Sequence, residues 1–394
     1  VKMGRKVDTL IVGAGQAGLS MSYYLTQQGR EHVVLEKDRV GESWRSDRWD
    51  SFTLVTPNWQ IQLPGFAYDE DDPNGFLARD ELVQYLDDYV AEFNPPLHLG
   101  VEVISVEVPS SGEGFIVETD VGDWSASNVV MATGTFQKPK LPPFSRRIAP
   151  NVVQIHSSNY RNPEQIPDGG VLVVGSGQSG CQIAEELYRF GRDVYLSTSS
   201  AGRAPRTYRG KDFTWWMDQM GIADQTVEDL SSPEERFNPN PHVTGKDGGH
   251  ALNLHRFARD GVMLLGRAKN AEGSRISFAG DLTDNLKAAD RFAEELKAGI
   301  DKFIDKAGID APEPSGKKLR AGYDSEVIDE LHLENTGINT IIWATGYNFD
   351  FGLVKLPIFD EFGYPIQERG VTSQPGLYFL GLHWLHTIKS GLLY

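Results

Sequence analysis

The chain has 394 residues, room for two domains of ordinary size, and its 40% apolar content with 41 glycines and 21 prolines is that of a loop-containing globular protein. No apolar run approaches the roughly eighteen residues that span a bilayer, and a net charge of −17 argues against nucleic-acid or anionic-membrane partners. A single cysteine, Cys181, excludes a disulfide framework or a Cys-x-x-Cys redox pair, which points to a cytoplasmic protein.

The first element is DTLIVGAGQAGLSMSYYLTQQGREHVVLEKD, residues 8–38. The basic start before it is read as the lead into a strand, not as a targeting segment, because no small-residue cleavage site follows. The pattern is strand, glycine turn, helix, strand, with Gly13, Gly15 and Gly18 in Gly-x-Gly-x-x-Gly spacing and Gln16 and Ala17 inside it. In such a unit the first glycine makes the turn, the second admits a pyrophosphate, and the third lets helix pack on strand. Glu36 closes the second strand, where a carboxylate hydrogen-bonds a ribose diol.

Next comes GESWRSDRWDSFTLVTPNWQIQLPGF, residues 41–66, whose tryptophans suit either core packing or flavin contact. Residues 79–93 have the apolar spacing of an amphipathic, structural helix. NVVMATGTF, residues 128–136, reads as a strand ending in Ala132-Thr133-Gly134, small residues that let the backbone pass close to a cofactor or another domain. The proline-rich QKPKLPPF follows as a stiff connector, and IPDGG at 166–170 leads into the next unit.

That unit, VLVVGSGQSGCQIAEELYRFGRDVYLSTSS at 171–200, repeats the first at an offset of 162. Gly175, Gly177, Gln178 and Gly180 fall on Gly13, Gly15, Gln16 and Gly18, with Ser179 between. The acid does not repeat: Thr198 stands where Glu36 would fall, among serines, and Arg203, Arg206, Arg209 and Lys211 follow. Hydroxyls and arginines accept a 2′-phosphate that a carboxylate would repel. The first unit therefore suits FAD or NAD and the second NADP, although the arginines also read as a solvated loop. Two cofactor sites without a thiol pair suggest a resident flavin and a visiting nicotinamide that reduces it.

The region from about 205 to 260 interrupts the α/β pattern and reads as a variable substrate or lid region. Residues 282–308 form a helix with a charged, solvated face. NTIIWATGYNF, 339–349, repeats the strand ending in Ala344-Thr345-Gly346, and GLYFLGLHW, 376–384, is strand-like. The expected fold is α/β with two Rossmann-like dinucleotide-binding domains. A FAD-binding domain spans 1–160 and 326–394, and an inserted NADP-binding domain spans 165–325.

With both glycine motifs, GESW, ATGTFQKPKLP and WATGY in order, the chain resembles the flavin-containing monooxygenases. It is similar to the bacterial monooxygenase-like flavoproteins and the plant YUCCA enzymes. The resemblance runs from about Asp8 to Gly391 and implies FAD in the first domain and NADPH in the second, with NADH left open. It implies a reduced flavin that reacts with O2 to a hydroperoxide and oxygenates an amine, thioether, ketone or 2-oxo acid. It places Lys37, Ser43, Trp44, Thr56 and Val103 near FAD, beside the glycines and Glu36, with Thr198 near NADP.

The chain departs from the family pattern in three places. Pro150 and Val152 replace the Phe and Gly ahead of His156 and Tyr160, so His156 reads equally as a hinge residue. Ser197 stands where many relatives carry arginine beside the threonine, leaving Arg203 or Arg206 to compensate. Asn58 is near, but not at, the asparagine of oxygenating relatives. The pattern also continues past Ser390–Leu393 with a flavin-side loop and helix. Asn58 and His156 are thus the weak catalytic candidates, no metal site is expected, and a homodimer is left open. An electron-transfer reductase of the same architecture, or a homologue that binds nucleotide without turnover, stays as an alternative.

Overall fold

A computed structural model describes residues 5–68 and 71–393. The chain builds two parallel sheets of the same design. In the first, strands Leu377–Phe379, Trp124–Met131, Arg5–Val12, His32–Glu36 and Leu97–Leu99 lie side by side and parallel. Antiparallel strands extend it to nine. In the second, Val153–His156, Ile338–Trp343, Gly170–Val174, Val194–Ser197 and Met263–Leu265 are all parallel. The central strands of both, such as Leu10–Val12 and Val171–Val174, are buried on both faces, which is why they read as unbroken apolar runs. The fold is α/β with two Rossmann-like units.

Sheet membership moves the expected boundaries. Residues 153–156, expected before the boundary at 160, pair with Ile338–Trp343, expected after the boundary at 326, and both belong to the second sheet. The chain therefore returns to the first sheet only after Ala344-Thr345-Gly346. Helix α1 (Gln16–Gln27) follows the first glycine turn, α2 (Glu42–Ser46) carries Trp44, and α3 (Arg79–Phe93) forms where the periodicity predicts it. Helix α4 (Gln178–Phe190) follows the second glycine turn and ends at Gly191, whose φ of 98° is glycine's territory.

The 205–260 region is not one insertion. It holds a short hairpin and α5 (Phe213–Gln219), whereas α6 (Leu254–Arg259) is the crossover that feeds the strand Met263–Leu265. Helix α7 (Leu282–Ala307) buries Leu282, Leu286, Ala289, Ala293, Ile300 and Ile304 and, apart from the buried Asp290, leaves its charges outward. Among the described residues no helix is long and apolar enough to cross a membrane.

Candidate cofactor cradles and the contacts between them

The register brings the strand ends together. Val12 lies beside Leu35 and Met131, so Gly13, Glu36 and Ala132 meet at one edge. In the second sheet Val174 lies beside Ser197 and Trp343, which gathers Gly175, Thr198 and Ala344. The two Ala-Thr-Gly segments explain themselves here. A Cβ on Gly13 would sit 2.5 Å from the Ala132 carbonyl oxygen, and one on Gly175 would sit 2.4 Å from that of Ala344. Each segment backs a glycine turn, and the close approach forbids a side chain.

The other glycines divide the same way in both units. A Cβ on Gly18 would meet the Gly13 carbonyl oxygen at 1.9 Å, and one on Gly180 that of Gly175 at 1.8 Å. On Gly15 or Gly177 it would meet nothing within 4 Å. The first and third glycines are therefore demanded by the protein's own packing. The second faces open space, as a position reserved for a ligand would. Helices α1 and α4 begin at Gly15 and Gly177 with no side-chain cap and no acid in the first turn, leaving free N–H groups and the dipole for an anion.

Beside the first cradle, Glu36 accepts from the amides of Ala14 and Asp38, both at 2.9 Å. Lys37 is exposed, Ala17 packs under Gly381, and Val103 opens a strand just past Val101, whose amide donates to the Glu36 carbonyl at 3.0 Å. The Trp44 indole donates to Gln16 at 3.1 Å; its neighbour Ser43 is exposed and Thr56 is half-buried. The Ala132 amide donates to the Val12 carbonyl, Thr133 accepts from Gln137 at 2.8 Å, and Gly134 turns with φ 76°. Asn58 lies apart from these contacts. Its amide nitrogen donates to the Asp72 carbonyl at 2.9 Å and so holds its own loop.

Around the second cradle, Gln178 is gripped by the backbone of Val243, and Ser176 accepts from the Ser199 amide at 2.8 Å. Ser179 sits in the first turn of α4. Ala344 donates to the Val174 carbonyl at 2.9 Å, and Thr345 donates to the Lys140 carbonyl.

Thr198 and the arginines that follow it have partners within the protein. Thr198 is 1% exposed and its hydroxyl is spent on the Leu265 carbonyl at 2.7 Å, because the strand Met263–Leu265 lies alongside. Arg206 is 3% exposed, paired with Asp212 at 2.5 Å and donating to the Val55 carbonyl, so it fastens the two domains. Arg203 is paired with Asp290 at 2.7 Å.

One continuous run of contacts joins the cradles. Arg48 lies 5.0, 5.7 and 5.4 Å from the ring centres of Trp44, Phe52 and Phe136. Phe136 is 5.2 Å from Tyr347, and Tyr347 is 4.9 Å from His156. His156 Nδ1 accepts from the Ser158 amide at 3.2 Å, which assigns the proton to Nε2, donating to the Gly346 carbonyl at 3.0 Å. Burial lowers the His156 pKa and keeps the ring neutral. Tyr160 donates to Glu186 of α4 at 2.8 Å, and Ser51 of the first domain donates to the same carboxylate. The His156–Tyr160 pair is thus a fastener at the domain junction.

Sequence reading missed Arg48. Burial holds its pKa below the ordinary value, and its nearest polar contacts are the Asp47 carbonyl at 2.9 Å and Tyr347. Among the described residues it has no salt bridge. The signal available was the crowding of arginine and aromatic residues in WRSDRW, but only folding brings Phe136 and Tyr347 to it.

The family model described as pyridine nucleotide-disulphide oxidoreductase matches residues 10–217. An uncharacterized CzcO-like oxidoreductase of Geobacillus kaustophilus is 35% identical, over 98% of this chain and 94% of its own length. Indole-3-pyruvate monooxygenase YUCCA1 of Oryza sativa subsp. japonica is 30% identical over 78% of each chain. A solved mutant of the flavin monooxygenase from Stenotrophomonas maltophilia shares the fold with a TM-score of 0.68 at 20% identity, covering 99% of this chain and 94% of its own.

Proposed function

The chain belongs to the pyridine nucleotide-disulphide oxidoreductase family and the flavin-containing monooxygenase superfamily, an enzyme group, and we propose that it is an NADPH-dependent FAD monooxygenase. The observation that carries the reading is the pair of uncapped glycine turns, each open at its second glycine and linked to the other by the Trp44–Arg48–Phe136–Tyr347–His156 run. The overall reaction balances as substrate, O2, NADPH and a proton giving oxygenated substrate, NADP+ and water. The substrate is a small organic molecule.

In this reading Gly13, Gly15, Gly18 and the N-terminus of α1 hold the FAD pyrophosphate. Glu36, whose oxygens keep lone pairs beyond the bonds to Ala14 and Asp38, takes the ribose. Gly175, Gly177, Gly180 and the N-terminus of α4 take the nicotinamide dinucleotide. Bound FAD supplies hydride acceptance and the reaction with O2. The side chains of this protein need supply no acid or base. Trp44, Phe136 and Tyr347 border the junction with apolar rings and limit water there. Neutral His156 holds the Gly346 carbonyl and so the backbone behind the second turn.

The test is anaerobic reduction by NADPH followed by rapid mixing with O2 while the flavin spectrum is recorded without substrate. A persistent near-ultraviolet band before the oxidised spectrum returns supports oxygen transfer. Direct reoxidation with stoichiometric peroxide favours the electron-transfer reductase instead, and no bleaching by NADPH refutes both.

A further inference from the structure

The Thr198 hydroxyl, Arg206 and Arg203, three of the 2′-phosphate partners that the sequence suggested, are bonded within the protein. A different set of cations lies close by. A surface cavity of about 410 Å³ is lined by Lys287, Asp290, Arg291, Glu294, Lys318, Arg320 and Tyr323. It adjoins the loop that leaves the strand Val194–Ser197, the loop that carries an adenosine ribose in this fold. Three contacts fix this placement. Asn285 of α7 donates to Thr198 at 3.3 Å, a Cβ on Gly202 would meet the Phe292 ring at 2.8 Å, and Arg203 pairs with Asp290.

The charges of the cavity do not cancel. Asp290 is turned inward, accepting from Arg203 at 2.7 Å, from Tyr323 at 2.9 Å and facing His255 Nε2 at 3.1 Å. Glu294 is met by Lys318 at 3.9 Å and Lys297 at 3.4 Å, and Lys287 is met by Asp284 at 4.0 Å. Arg320 rests 5.7 Å from the Tyr323 ring centre without a carboxylate, and among the described residues Arg291 has no hydrogen bond or ion pair. On a chain of net charge −17, a polyanionic coenzyme needs such a local concentration of cations to approach.

We propose that this cavity, through Arg291, Arg320, Lys287 and Lys318, receives a phosphate monoester, and that the phosphate is the 2′-phosphate of the dinucleotide in the second cradle. The proposal rests on the two-cofactor reading above. Coenzyme selection is thereby moved from the end of the second strand to α7 and the segment 318–320.

The test is calorimetric titration of the flavin-loaded protein with 2′,5′-ADP, 5′-AMP and inorganic phosphate, together with KM for NADPH and NADH. The expected result is that Arg291→Ala with Lys318→Ala weakens 2′,5′-ADP and raises the NADPH KM by about tenfold or more, leaving 5′-AMP and NADH unchanged. Arg291→Lys should restore most of the loss. Unchanged preference for the 2′-phosphate in the double variant overturns the proposal, as does an equal loss for both nucleotides. Loss of inorganic phosphate binding alone identifies a free phosphate as the ligand and overturns the coenzyme assignment. A native protein that binds neither nucleotide refutes the two-cofactor reading itself.

Discussion

The guanidinium carbon of Arg48 lies 5.0 Å from the centre of the Trp44 ring, and Trp44 in turn donates to Gln16 at the start of α1. A cation set among three rings with no salt bridge among the described residues costs folding free energy, and such groups persist where function requires them. Arg48→Met should therefore keep or raise the thermal midpoint while lowering kcat/KM by about tenfold or more. A parallel fall in both would assign Arg48 to packing alone.

The glycines of the second turn separate folding from binding. Gly180→Ala places a methyl 1.8 Å from a backbone oxygen and should destabilise by about 3 kcal/mol or more, read from urea unfolding. Gly177→Ala meets nothing within 4 Å and should unfold at the native urea concentration. Its defect should appear instead as a raised KM for the nicotinamide coenzyme.

His242 is fully buried beside the Leu252 and Ser176 backbones, and burial lowers its pKa from 6.5 to about 4. Below pH 6.5 the unfolded chain binds a proton that the folded chain refuses, so stability is complete above that pH and lost as pH falls toward 4. The loss over this window should be about 3 kcal/mol. Burial shifts His156 and His383 in the same direction. His242→Leu should flatten the dependence of the urea midpoint on pH between 7 and 5.

Arg206 joins Asp212 to the Val55 carbonyl and lies 4.7 Å from the Phe76 ring centre, so it spans both domains. Arg206→Ala should cost about 3 kcal/mol, because it strands a carboxylate and empties a packed site. Arg291→Ala, on the surface of α7, should leave the midpoint within about 0.5 kcal/mol of native. Parallel melts of the two variants distinguish a structural arginine from one free to meet a ligand.

The sequence alone determined the two glycine turns, their offset of 162 and the missing second acid, because strand, turn and helix are set by neighbours along the chain. It also showed the paired Ala-Thr-Gly segments, but not their purpose. Residues 132 and 344 meet the turns at 13 and 175 only through strand pairing across more than a hundred residues. The sheet to which residues 153–156 and 338–343 belong was hidden for the same reason. Nothing local in Ile338–Trp343 says which sheet it will complete. Side-chain direction was likewise hidden. Thr198 stands at the expected position, yet the neighbouring strand takes its hydroxyl, and Arg206 reads as a surface residue until Asp212, Val55 and Phe76 close around it. Local pattern specifies which backbone can receive a cofactor, whereas the partner each charge finds is decided by tertiary packing.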